Sequence, residues 1–184
     1  MSAPQPDDAR PLRKKPRWRR WLVEIGIFIV VFAAFQAWQL RDTARGPAPA
    51  IHGQLLDNRL FSLADWRASQ PDQAHLLYFW AEWCPVCKTT AGSVTNIAAD
   101  WPVTTLASQS GPPDAVRQVM ADRGYTWPTV ADPTGQAMRD YRLPGVPAFV
   151  VIDRNGQIRF VAVGYTSEIG LRLRLWWANR TAAA

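Results

Sequence analysis

Apolar and polar positions fall into three patterns along the chain. From Leu22 to Leu40 (LVEIGIFIVVFAAFQAWQL) 19 residues carry a single charge, Glu24 in the first turn. As a helix this block spans about 28 Å, close to the ~30 Å hydrocarbon core of a bilayer. Further on, short continuous apolar runs take over. His75 to Trp80 (HLLYFW) predicts a strand covered on both faces, and Val103 to Ala107 and Thr129 to Ala131 predict further short strands. Ala148 to Asp153 and Gln157 to Val163 flank Arg154-Asn155-Gly156, and an Asn-Gly turn between apolar runs predicts a hairpin. An earlier hairpin-like segment surrounds Asp57-Asn58, and Ser62 to Asp65 opens a short helical turn. The third pattern is helical: Cys84 to Ala99, ended by Trp101-Pro102; Pro113 to Arg123, stopped by Gly124; Pro133 to Tyr141; and Glu168 to Asn179. Strands alternating with helices predict an α/β layer architecture with βαβ units.

Composition then fixes the organisation. With 184 residues, 48% hydrophobic and 20% charged, the chain has material for one ordinary domain plus an appendage. The net charge of +6 looks like a nucleic-acid signal until it is located. Residues 1–21 hold seven basic side chains against Asp7 and Asp8, so the tail carries +5 and everything after it only +1. The body is nearly neutral, and a polyanion partner loses its main argument. The basic tail, broken by Pro4, Pro6, Pro11 and Pro16, cannot bury apolar surface. Trp18, Trp21 and Trp38 flank the 22–40 block where interfacial aromatics belong, and the basic excess lies wholly on its N-terminal side. These features predict a single-pass signal-anchor with the N-terminus cytoplasmic and the remainder outside the cytoplasm. A cleavable signal peptide is the competing expectation, because the uninterrupted core Ile25 to Phe35 is only 11 residues and Val31-Phe32-Ala33 is a passable cleavage site. A twin-arginine signal at Arg19-Arg20 is weaker, and every export reading places the body in an oxidising compartment. Residues 41–50 (RDTARGPAPA) read as a linker, and the folded domain as 51–180.

The chemistry sits at the chain's two cysteines, Cys84 and Cys87, directly after the buried strand and at the start of a helix. Positions i and i+3 share a helix face, so the two sulfurs can meet. With Pro85 at the first helical position, Cys84 falls at the cap, where free backbone N–H groups and the helix dipole favour a thiolate. That assigns Cys84 as attacking nucleophile with a lowered pKa and Cys87 as resolving thiol. Trp83 shields one side of the pair and offers an apolar surface to a peptide. A disulfide closing two intervening residues is a poor structural staple and a plausible redox switch. Two thiolates alone make a thin copper or zinc site, with His75 nine residues upstream and His52 further. No metal ligand set and no cofactor beyond the Cys84–Cys87 disulfide is expected. Trp80, Trp101, Trp127, Trp176 and Trp177 read as core or helix-face residues.

Phe79 to Cys87 (FWAEWCPVC) resembles the active-site run of the thioredoxin superfamily, and Tyr141 to Ile152 (YRLPGVPAFVVI) is similar to the segment carrying that family's cis-proline, here Pro147. The hydrophobic anchor, the additional strand and helix between Val103 and Asp132 and the ending VGYTSEIGLRLRLWW resemble the TlpA-like branch, and within it the membrane-anchored disulfide oxidoreductases of the suppressor-for-copper-sensitivity D type. The resemblance implies a thioredoxin fold with an N-terminal hairpin, Cys84 exposed at a helix N-terminus, and Pro147 opposite. It implies a surface of Trp83, Pro85, Val86, Val146 and Pro147 that meets the substrate. Independently, a proline lacks an N–H and tolerates the cis form, which leaves the backbone of Val146 free to pair with an extended substrate. Three positions depart from the family pattern. Tyr78 stands where thioredoxin has a buried aspartate, which leaves Glu82 or water to transfer the proton of the resolving thiol; Gly92 replaces a helix-kinking proline, and Ala148 a threonine. The implied function is extracytoplasmic thiol-disulfide exchange with protein substrates, more a reductase than a strong oxidant because no histidine lies between the cysteines. A reductase outside the cytoplasm implies a thiol-transferring membrane electron donor. Oxidised periplasmic thiols, apocytochrome c or a protein of copper tolerance are the implied substrates. The alternative is a copper-binding or metallochaperone module using the same thiolates.

Overall fold

The structure, a computed structural model, describes residues 18–39 and 41–181, and in the first helix leaves aside the side chains of residues 19, 20, 32, 33 and 35–39. Residues 1–17 of the basic tail, the side chains of Arg19 and Arg20, Leu40 and the side chains of Phe32, Ala33 and Trp38, on which the anchor and cleavage expectations lean, lie outside the described residues. The chain divides into two compact units after Gln39. The first contains α1 (Trp18–Gln39), a continuous helix of 22 residues that starts four residues before the apolar block. Among the described residues no helix is long and apolar enough to cross a membrane. The expected segment is therefore present as a helix, and its crossing of a bilayer is not shown.

The second unit holds a mixed sheet of six strands: β1 (Gly46–Pro47), β4 (His75–Trp80), β5 (Val103–Ser108), β6 (Thr129–Asp132), β7 (Ala148–Ile152) and β8 (Gln157–Val163), in the order β1-β8-β7-β4-β5-β6. β4, β5 and β6 run parallel, while β7 and β8 run antiparallel to their neighbours. Two more strands, β2 (His52–Gln54) and β3 (Leu60–Ser62), form the separate hairpin. The helices are α2 (Leu63–Ala68), α3 (Pro85–Ala98), α4 (Pro113–Arg123), α5 (Gln136–Asp140) and α6 (Glu168–Thr181). Crossovers from β4 through α3 to β5, and from β5 through α4 to β6, are the βαβ units the alternation predicts.

β4 is central and buried at all six positions, and period-two alternation splits its side chains between two cores. Leu76, Tyr78 and Trp80 join Phe149 and Val151 against Ala91, Val94 and Ile97 of α3 and Leu171, Leu175 and Ala178 of α6. Leu77 and Phe79 join Leu106, Val150 and Ile152 against Phe61, Leu63 and Tyr141 on the other face. Full burial of each such side chain contributes roughly 1.5–3 kcal/mol, which fixes the strand whose end carries the cysteines. Local signals close the elements. Ser62 caps α2 by accepting from the N–H of Asp65, and Gly124 ends α4 in the left-handed conformation at φ +67°.

Two sequence expectations need correction. The segment 41–50 is more than a linker: Gly46–Pro47 pairs with Ile158 and Gln157, the N–H of Ala44 donates to Tyr141 O at 3.0 Å, and that of Ala48 to Gly156 O at 2.9 Å. Its two prolines and one glycine describe an edge strand as well as they describe a tether. The helix expected over Pro133 to Tyr141 is only Gln136–Asp140. Gly135, at φ +72°, and the carboxylate of Asp132, which accepts from the N–H of Gln136 at 2.7 Å, delay its start.

Candidate active site

The site forms where β4 runs into α3. Ala81-Glu82-Trp83 turns the chain, and the N–H of Cys84 donates to Ala81 O at 3.2 Å. Cys84 is the N-cap of α3, in extended conformation at φ −85° and ψ 112°, with Pro85 behind it. Its Sγ accepts from the N–H of Cys87 at 3.2 Å, so the sulfur does for this helix what a serine hydroxyl does elsewhere. Such a donor, together with the helix dipole, stabilises negative charge on Cys84 Sγ. Both cysteines are free thiols.

Expected to be exposed, Cys84 is in fact only 4% exposed, and Cys87 3%. The cover over Cys84 is the segment ahead of β7: its thiol donates to the carbonyl of Val146 at 3.7 Å, and the Val146–Pro147 peptide is cis. Pro147 O is in turn held by the N–H of Gly164 at 2.8 Å. Pro85 and Val86 are exposed beside the buried sulfur, and Trp83 is 58% exposed. The substrate-facing residues read from the sequence thus gather around Cys84, with the sulfur itself recessed beneath them.

Burial pushes the Cys87 thiol up to about 12, with its hydrogen bond to Cys84 adding to the effect. Cys87 therefore stays protonated while Cys84 receives the N–H. That asymmetry separates an attacking sulfur from a resolving one.

Glu82 lies apart from this chemistry. Its N–H donates to Ser110 Oγ at 3.0 Å, its carbonyl accepts from Arg123 at 3.0 Å, and its carboxylate faces the same guanidinium at 3.9 Å. Among the described residues no hydrogen bond joins Glu82 to either cysteine. The buried hydroxyls at Cys87 belong to Tyr78, 3.2 Å from Cys87 O, and Thr90, 3.1 Å from both Tyr78 Oη and Cys87 O. Sequence reasoning marked Tyr78 only as a departure and missed Thr90 altogether; its position three residues beyond Cys87, on the same helix face, was the available signal.

A second missed group is the loop after β5. Gln109 O accepts from Trp83 Nε1 at 3.1 Å, which with the Ser110 contact fixes the turn ahead of Cys84. Gln109 and Gly111 carry positive φ of 49° and 86°, a geometry the sequence hinted at only through the glycine. Beneath the site, Tyr125 stacks on Trp127 at 4.3 Å, and Trp80 meets both rings edge-on. Trp80 Nε1 donates to Thr105 and Trp127 Nε1 to Thr95, so these tryptophans are satisfied core residues.

A dithiol capping a helix at the end of a central parallel strand, facing a cis-proline, defines the class of thioredoxin-like thiol-disulfide oxidoreductases. The chain belongs to the AhpC/TSA family, whose model matches residues 44–161. It is 31% identical over 127 residues to a thioredoxin-like protein of Haemophilus influenzae, covering 68% of this chain and 74% of that one. It is 28% identical over 147 residues to a thiol:disulfide interchange protein DsbE homolog of Paracoccus denitrificans, covering 74% and 80%. Among solved structures, a thiol:disulfide interchange protein of the thioredoxin family from Chlorobium tepidum superposes with a TM-score of 0.60 at 23% identity, covering 75% of this chain and 99% of that one. The last two are thiol:disulfide interchange proteins by name, and this chain is a protein-disulfide oxidoreductase.

Proposed function

We propose that this protein exchanges disulfides with protein thiols outside the cytoplasm, acting as a reductase in which Cys84 attacks and Cys87 resolves. The observation that carries the reading is the Cys84 sulfur, held at a helix N-cap by the Cys87 N–H and lying against Val146 O before the cis-proline. An incoming disulfide meets Cys84, the mixed disulfide forms, and Cys87 displaces the substrate as a thiol. Trp83, Pro85 and Val86 form the apolar rim, and the Val146 backbone pairs with an extended substrate segment. Relatives named DsbE and ResA support thiol-disulfide exchange of this type.

The apolar 22–40 block with its basic flank supports an inner-membrane anchor and a periplasmic domain, the layout of the suppressor-for-copper-sensitivity D type. A reductase there needs a membrane electron donor of the thiol-transferring kind. Its substrates are oxidised protein thiols, with those of cytochrome c maturation or copper tolerance as the candidate sets. Copper binding by the same two thiolates is the alternative, and the metal content of anaerobically purified protein separates it from exchange: about one copper per chain for a binding module, none for the oxidoreductase.

The test is equilibration of the protein in glutathione buffers of known poise. A reductase gives a potential near that of thioredoxin, about −270 mV; a value near −120 mV makes the protein an oxidant instead. Failure of the Cys84–Cys87 pair to exchange with glutathione at all overturns the reading.

A further inference from the structure

The resolving thiol has to shed a proton inside the core, and the groups around it are neutral. Cys87 is 3% exposed, Tyr78 1% and Thr90 0%. Tyr78 rises from the middle of β4, its ring stacked on Phe149 at 5.0 Å and edge-on to Trp127 at 5.9 Å, which leaves the hydroxyl one place to go. It lies 3.2 Å from the carbonyl oxygen of Cys87, the residue that carries the resolving thiol, and 3.1 Å from Thr90 Oγ1. Thr90 Oγ1 also faces Val86 O at 3.3 Å, so its proton has carbonyl acceptors and its lone pairs are open to the tyrosine. Among the described residues no carboxylate hydrogen-bonds to Cys87, whose contacts are with Cys84, Tyr78 and Thr90. Burial holds the Tyr78 phenol well above its ordinary range, so it remains a donor at any working pH.

We propose that Tyr78, oriented by Thr90, is the hydrogen-bond donor that stabilises the Cys87 thiolate during resolution of the mixed disulfide, a role deduced from a neutral hydroxyl pair and resting on the exchange reading above. As Cys87 Sγ attacks Cys84 Sγ, the Cys84–Cys87 bond forms and the bond from Cys84 to the substrate sulfur breaks, the electron pair leaving with the substrate. The proton lost by Cys87 is taken up by that leaving sulfur or by solvent. Tyr78 turns its O–H from Cys87 O toward the sulfur as charge builds and keeps its own proton throughout. It is a donor and not a base, and this distinguishes it from Glu82.

Reaction of the reduced full-length protein with the aromatic disulfide 5,5′-dithiobis(2-nitrobenzoate) separates the steps. Attack by Cys84 releases one thionitrobenzoate in a phase that depends on reagent concentration. Resolution by Cys87 releases the second in a phase that does not. Tyr78→Phe, which keeps the stacked ring, slows the second phase at least tenfold across pH 6 to 9, as expected for losing a hydrogen bond to a charge, and leaves the first within twofold. Thr90→Val slows the second phase by a smaller factor. An unchanged second phase in Tyr78→Phe overturns the proposal, as does equal slowing of both phases, which marks a merely structural role. A second phase slowed by Glu82→Gln while Tyr78→Phe leaves it unchanged transfers the role to the carboxylate. Absence of both phases in the unaltered protein overturns the exchange reading itself.

Discussion

Cys84 and Cys87 differ by three positions and by opposite places in one hydrogen bond, and the proposed division of labour rests on that difference. The sulfur of Cys84 accepts the N–H of Cys87 at 3.2 Å, while the Cys87 thiol, pushed up to about 12, holds its proton through the neutral range. Cys87→Ser is therefore expected to accumulate mixed disulfides through Cys84, seen as adducts on non-reducing gels that dithiothreitol removes, whereas Cys84→Ser accumulates none. Trapping by Cys84→Ser instead would reverse the roles. The same raised value acts on stability. A folded-state pKa above the unfolded one means that the native state keeps a proton the unfolded chain loses, so this contribution is complete below pH 9.0 and drains away as pH rises toward 12. At this scale the sequence spoke clearly about the cysteines and Pro147, whose chemistry is local. It did not disclose that Cys84 is covered, because the cover is the carbonyl of Val146, 62 residues later. Nor did it disclose what Tyr78 touches, since a hydroxyl's partner depends on how β4 and α3 pack.

Elements with strong patterns were legible close to their ends: β4, α3 and α4 follow the sequence because apolar runs, Pro85, Pro113 and Gly124 mark their limits. α5 and β1 were not, because a side-chain cap from Asp132 and a strand pairing across more than 100 residues leave no periodic trace. β4 also carries a polar residue in its buried run. His75 is 1% exposed, among the described residues neither ring nitrogen has a hydrogen-bond partner, and its ring meets Trp66 edge-on at 4.6 Å. Burial lowers its pKa to about 4, with the Arg67 guanidinium adding to the effect. Since the unfolded chain takes up this proton near pH 6.5 and the folded one does not until about 4, the contribution is present above 6.5 and is lost as pH falls through that window. Urea unfolding at pH 7 and pH 4.5 checks this: the unaltered protein should lose about 2 kcal/mol more than His75→Leu over that step. Equal losses would show that another group governs the acid limb.

The whole molecule joins a helix with apolar, largely exposed side chains to a thioredoxin-like domain whose thiols sit at one end of its sheet. The charge distribution argues the orientation, with +5 of the net +6 ahead of the apolar block. Alkaline phosphatase fused after Ala184 should accordingly be active in intact bacterial cells, and an inactive fusion with a fully active cytoplasmic reporter would sink the export reading. The lateral borders of the sheet have a further consequence. Gly46–Pro47 lies along one border, and on the other Leu55 bridges to Val130. A two-residue strip containing a proline is a poor template for another backbone, and the opposite border already has a neighbour along part of its length. Among the described residues, a stretched polypeptide arriving at this surface finds little lengthwise berth on either flank. On the proposed exchange reading the berth that remains is the short Val146 backbone, whose carbonyl lies 3.7 Å from the Cys84 sulfur.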